Sequence, residues 1–134
     1  MARLENTDHD ALDWNDYRKQ LATEIKEIGQ LSPDTIKGYM ALSAAGQKAD
    51  LLGGKVRELI ALAVAVSLRC DGCITVHTEA AIKQGATREE VVEALGVATA
   101  VNAGATLVYS ARVLDASKKH PSAVRPQADA DLPG

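Results

Sequence analysis

Phenylalanine is absent from these 134 residues, and aromatic side chains make up only 3% of them. A core of stacked rings is excluded, so with hydrophobic residues at 46% the packing falls to alanine, leucine and valine. Side chains of that size let helices approach closely and fill little volume, and burial completed against copies of the same chain is the expectation. Cysteine is scarce too: Cys70 and Cys73 are the only two, too few for the disulfide framework of a small secreted domain. With no second C-x-x-C and no H-x3-H, a zinc finger lacks its second ligand pair. There is no basic excess, since Lys and Arg number 15 against 18 Asp and Glu for a net charge of −3. Such a balance offers nucleic acid or an anionic membrane no electrostatic footprint, and neither partner is expected. No long apolar run stands out either. Leu59 to Leu68, with Ser67 inside it, is about half of the roughly 20 residues that span a bilayer. The opening MARLENTDHDALDW is acidic where a secretory signal would be basic and then apolar, so a cytoplasmic location is the default. In a reducing compartment a C-x-x-C pair is suited to cycling or metal binding rather than to permanent stapling.

Strand signals are missing as well. No apolar/polar alternation and no β-α-β rhythm precedes the cysteine pair, which argues against a thioredoxin fold and for an all-helical scaffold. Leu12, Tyr17, Leu21, Ile25 and Ile28 recur at helical intervals and predict an amphipathic first helix ending near Gly29. Ser32 and Pro33 then read as cap and first position of a second helix reaching about Gln47. Gly53 and Gly54 interrupt the chain. Lys55 to Leu68 is apolar nearly all round after its first turn, the pattern of a central helix. A helix from about Asp71 to Gln84 follows, with Gly85 where a left-handed cap would fall. Thr87-Arg88-Glu89-Glu90 has capping-box spacing, and helical character continues past Gly104 to Leu114, with Gly104 as the candidate kink or division. Residues 1–118 read as one helical domain and 119–134, KHPSAVRPQADADLPG, as a flexible tail or an arm on a neighbouring subunit.

Against this background Glu58, Cys70, Cys73 and His77 spell E-x11-C-x2-C-x3-H. On a helix advancing about 100° per residue, Cys73 and His77 lie roughly 60° and 20° from the direction of Cys70. Two thiols and an imidazole therefore share one face. A helix N-terminus and the neighbouring Arg69 favour a thiolate there. An imidazole titrating near neutrality suits His77 to proton transfer. Glu58 admits two orientations: in the first turn of its helix it complements the dipole from the outside, yet it shares a stripe with Leu62 and Ala65 that would carry it inward. His9 and His120 fall in the termini and read as solvated.

The segment from Lys55 to Leu114, with this spacing complete and a glycine-threonine helix junction after it, resembles the helical core of the alkylhydroperoxidase AhpD and carboxymuconolactone decarboxylase superfamily. The resemblance implies an all-α, AhpD-like bundle assembled as a homotrimer or hexamer. It also implies Cys73 as the thiol oxidised first, Cys70 as the resolving thiol, and Glu58 with His77 as a proton relay. A hydroperoxide is then the substrate, and a dithiol donor or partner peroxidase supplies electrons. One position departs from the pattern: the AhpD branch often has histidine immediately before the second cysteine, where this chain has Gly72.

Other readings of the same residues stay open. A decarboxylase-type lyase of the same superfamily does not depend on a C-x-x-C, which counts against it here. A non-catalytic oligomeric or metal-binding module would use Cys70, Cys73, His77 and Glu58 as four zinc ligands, a chemically adequate but unusual set. No cofactor and no metal is assigned.

Overall fold

A computed structural model describes residues 13–122 and shows five helices with no strand among those residues. The first, α1 (Trp14–Leu31), starts at Asp13, whose carboxylate accepts from the backbone N–H groups of Asn15 and Asp16 at 3.0 Å. It runs past Gly29, where the sequence predicts its end. A Cβ at Gly29 would lie 3.3 Å from Ile36 Cγ1 of α2 (Pro33–Ala49), so that glycine admits a close neighbour instead of stopping a helix. Ser32 separates the two helices without the expected side-chain cap on the backbone; its hydroxyl pairs with Thr35 Oγ1 at 2.7 Å. Leu12 and His9 lie outside the described residues, as does most of the expected tail, whereas His120 is described and exposed, its Nδ1 accepting from the Ser122 N–H.

Gly53, at φ +78°, leads into α3 (Gly54–Leu68), which packs along α4 (Asp71–Lys83). Helix α1 also packs on α4, so α4 is held from two sides. The buried residues of this part are few and small: Leu62, Ala65, Thr75, Ala81 and Ala98. Gly85 takes φ +82° after α4, and Thr87 and Glu90 make the expected reciprocal cap at 3.1 and 3.2 Å. Helix α5 (Arg88–Lys119) is continuous, and Gly104 neither ends nor divides it.

Two compact units meet within α5, one ending at Ala98 and one beginning at Thr99. In the second unit the helix is exposed along nearly its whole length, including Val101, Leu107, Val108, Val113 and Leu114. By length and composition α5 is apolar enough to cross a membrane. Uninterrupted apolar runs understate it, because isolated polar residues such as Asn102 and Thr106 break the runs without much lowering the average.

Glu90 links the start of α5 to α3 through Lys55 Nζ at 2.8 Å. The Lys55 hydrogen bond first, then the Thr87 backbone N–H, hold the Glu90 carboxyl below its ordinary value of 4.5. A depressed carboxylate contributes stability that is present above the unfolded-state pKa and lost as pH falls through the folded one. Glu90→Gln is therefore expected to lower the thermal midpoint near pH 7 and to lose the difference from the parent below pH 4.5. Melting curves of both proteins across that range check it.

Candidate active site

The turn from α3 to α4 builds the dithiol. Arg69 takes the left-handed conformation, φ 54° and ψ 47°, so that its N–H and that of Cys70 bond back to Val66 and Ala65 carbonyls at 3.1 and 3.0 Å. That is a Schellman closure made without the usual glycine, and a non-glycine residue in this region costs on the order of 1 kcal/mol. Cys70 closes one helix and opens the next: its carbonyl accepts from Ile74 and its Sγ accepts from the Cys73 N–H at 3.2 Å. The sulfur stands where a serine or aspartate oxygen usually caps a helix. Cys70 and Cys73, with Cα atoms 5.3 Å apart, are joined in a disulfide. Exposed Arg69 and first-turn Asp71 flank Cys70 with opposite charges.

One turn beyond Cys73, His77 projects toward α3. Its Nδ1 lies 2.7 Å from Glu58 Oε2, and the two side chains are 29% and 22% exposed. Glu58 therefore takes the inward of its two orientations, on the stripe that buries Leu62 and Ala65. A carboxylate accepting from Nδ1–H fixes the ring and its tautomer and leaves Nε2 as the nitrogen open to proton exchange. The four residues of the E-x11-C-x2-C-x3-H spacing thus form two pairs, a disulfide and an acid–imidazole contact, on the facing sides of α3 and the first two turns of α4. Among the described residues no three His, Cys, Asp or Glu side chains come together in a metal-holding group.

Sequence reasoning did not find what covers Gly72. A Cβ at that position would fall 2.9 Å from Leu21 Cδ2 and 3.7 Å from the Tyr17 hydroxyl, both on α1. The helical stripe of Tyr17 and Leu21 was legible, but not its partner. The end of the Leu21 side chain would have to shift to admit a side chain at position 72, and a ring there would also meet Tyr17. Gly72→His is expected to cost about 1–3 kcal/mol through overpacking, with Leu21→Ala in the same chain restoring part of it. Denaturant unfolding of the single and double variants measures both.

Residues 33–116 match the family model for the carboxymuconolactone decarboxylase family. An uncharacterized protein of Haemophilus influenzae is 45% identical over 78% of this chain and 92% of its own, and one of Cupriavidus necator is 32% identical over 72% and 88%. The crystal structure of an apo carboxymuconolactone decarboxylase family protein from Legionella pneumophila superposes with a TM-score of 0.63 at 36% identity, covering 77% of this chain and 92% of that one. With helices α2 to α4 and most of α5 inside the matched segment and the fold shared at that level of identity, this chain belongs to the carboxymuconolactone decarboxylase family, in the superfamily that includes AhpD-like alkylhydroperoxidases.

Proposed function

We propose that the protein is an oxidoreductase that reduces hydroperoxides, or the disulfide of a partner peroxidase, through the Cys70/Cys73 couple. The observation that carries this reading is the pairing of a disulfide-forming C-x-x-C at a helix N-terminus with a Glu58–His77 contact one turn away. In the reduced protein the Cys73 thiolate attacks the peroxide O–O bond, forming a sulfenic acid. The proton that left the Cys73 thiol for Nε2 of His77, a ring that Glu58 holds in register through Nδ1, passes to the departing alkoxide. The Cys70 thiol then displaces water from the Cys73 sulfenic acid and closes the disulfide, and an external dithiol reduces it by exchange while becoming a disulfide itself. Each cycle consumes one peroxide and one donor dithiol.

The family's name describes a decarboxylation, a reaction without net redox change that gives a dithiol no task; the oxidoreductase reading gives every member of the spacing one. Titrating free thiols in the fully reduced protein before and after one equivalent of hydroperoxide tests the proposal. Two thiols are expected to disappear per chain, and two thiols unchanged would remove it.

Assembly and a cytoplasmic setting belong to the same proposal. The small buried set of the first unit and the exposed valines and leucines of α5 support a homotrimer or hexamer that covers them. Sedimentation in detergent-free buffer is expected to show the oligomer at micromolar concentration. A stable monomer, or a chain soluble only with detergent, contradicts it.

A further inference from the structure

Between the first turns of α1 and the length of α4 from Ile74 to Lys83 lies an open pocket of about 510 Å³, within the size range of small-molecule sites. Trp14, Ile74 and Ile82 supply its apolar walls. Trp14 is 42% exposed and Ile82 65%, and the Trp14 ring is braced edge-on against Tyr17 at 6.3 Å between centroids. The polar side is a three-residue charge cluster in which Glu79 holds Arg18 at 3.2 Å and Lys83 at 2.8 Å. The Lys83 hydrogen bond first, then Arg18, keep the Glu79 carboxyl below its ordinary value, so it stays ionised at neutral pH. Two cations against one carboxylate leave one positive charge unmatched at the pocket rim. Thr75 and Thr78 also line it, and neither hydroxyl is hydrogen-bonded among the described residues. An apolar wall and a surplus cation on one pocket fit a single kind of ligand.

We propose that this pocket binds an amphipathic monocarboxylate, with its apolar tail against Trp14, Ile74 and Ile82 and its carboxylate on Arg18 and Lys83. The site is distinct from the dithiol and rests on none of its chemistry, although both lie on α4, where Ile74 follows Cys73 and Thr78 follows His77. A neutral amphiphile of the same length loses the charged contacts, and a cationic one meets repulsion.

Trp14 is the only tryptophan, so its fluorescence reports on this pocket directly. Octanoate is expected to change that fluorescence saturably in the full chain, and 1-octanol to bind at least about tenfold more weakly for want of charge-assisted hydrogen bonds. Octyltrimethylammonium is expected to be weaker still. Lys83→Met alters a mostly exposed side chain and is expected to weaken octanoate several-fold. Glu79→Gln, which releases both cations from their carboxylate, is expected to tighten octanoate and leave 1-octanol unchanged. The double variant Cys70→Ser/Cys73→Ser should bind octanoate as the parent does, so that loss of peroxide reduction and loss of this site are read separately. Equal affinity for octanoate and 1-octanol, no saturable change, or Glu79→Gln failing to tighten octanoate would each overturn the proposal.

Discussion

Cys73→Ser is expected to abolish peroxide reduction, while Cys70→Ser leaves one oxidation step and no turnover. The difference follows from the proposed order of the two thiols, with which the placement of each sulfur is compatible. Cys73 lies in the first turn of α4, one helical turn before His77, so its thiolate shares a face with the group assigned to protonate the leaving oxygen. Cys70 is the cap residue, outside the helix proper, with its Sγ turned onto the Cys73 N–H. Without Cys70 the sulfenic acid on Cys73 has no thiol in reach, and excess peroxide carries it on to the sulfinic state. Without Cys73 the first bond is never made. Steady-state assays with a dithiol donor should find no measurable turnover in either variant, and stoichiometric peroxide consumption only in Cys70→Ser.

The second large effect concerns the acid–imidazole pair. His77→Ala removes the group proposed as proton donor and is expected to slow peroxide reduction, since general acid–base groups contribute about 10²- to 10⁴-fold to such steps. Glu58→Gln is expected to act less strongly, because an amide still reaches His77 across the 2.7 Å contact but does not favour the Nδ1-protonated ring. Its signature is a changed pH profile with peroxide affinity retained. If both variants turn over at the parental rate, the contact is structural and the relay assignment fails. Rapid-mixing measurements of the peroxide-oxidation phase separate this step from disulfide reduction by the donor.

Much of this arrangement is legible in the residues alone, for identifiable reasons. The capping box at Thr87 and Glu90 and the turn at Gly85 rest on local chemistry, and the helix boundaries around them lie within a residue or two of those expected. Gly29, Ser32 and Gly104 misled because a glycine or serine in a helical pattern has more than one meaning. Gly29 makes room for Ile36, Ser32 bonds sideways to Thr35, and the helix simply continues through Gly104. Glu58 was undecidable from periodicity, since a carboxylate near a helix start is favourable facing either way; α3 starts at Gly54, which puts Glu58 beyond the expected first turn, and its partner nineteen residues on decides the matter. Gly72 carries the same lesson. The resemblance to the AhpD branch implied that an imidazole is missing there, and the Tyr17 and Leu21 side chains that crowd the position are visible only in the tertiary packing.

The positive-φ Arg69 is the feature that sequence gave no sign of. Helices closed this way usually place glycine at that position, and a charged residue there appears costly when read locally. In the folded chain it sets a cation immediately before the dithiol, opposing the carboxylate of Asp71. The conformational cost and the charge arrive together at the residue that precedes the cap sulfur.

The central claim, that a peroxide oxidises Cys73 first, is tested most directly by mass spectrometry of the two single-cysteine variants. Each is reduced, treated with one equivalent of hydroperoxide and quenched with a sulfenic-acid reagent. The adduct is predicted on Cys73 in Cys70→Ser and absent in Cys73→Ser; an adduct only on Cys70 would reverse the order of the two thiols, and no adduct on either would contradict peroxide reduction by this dithiol.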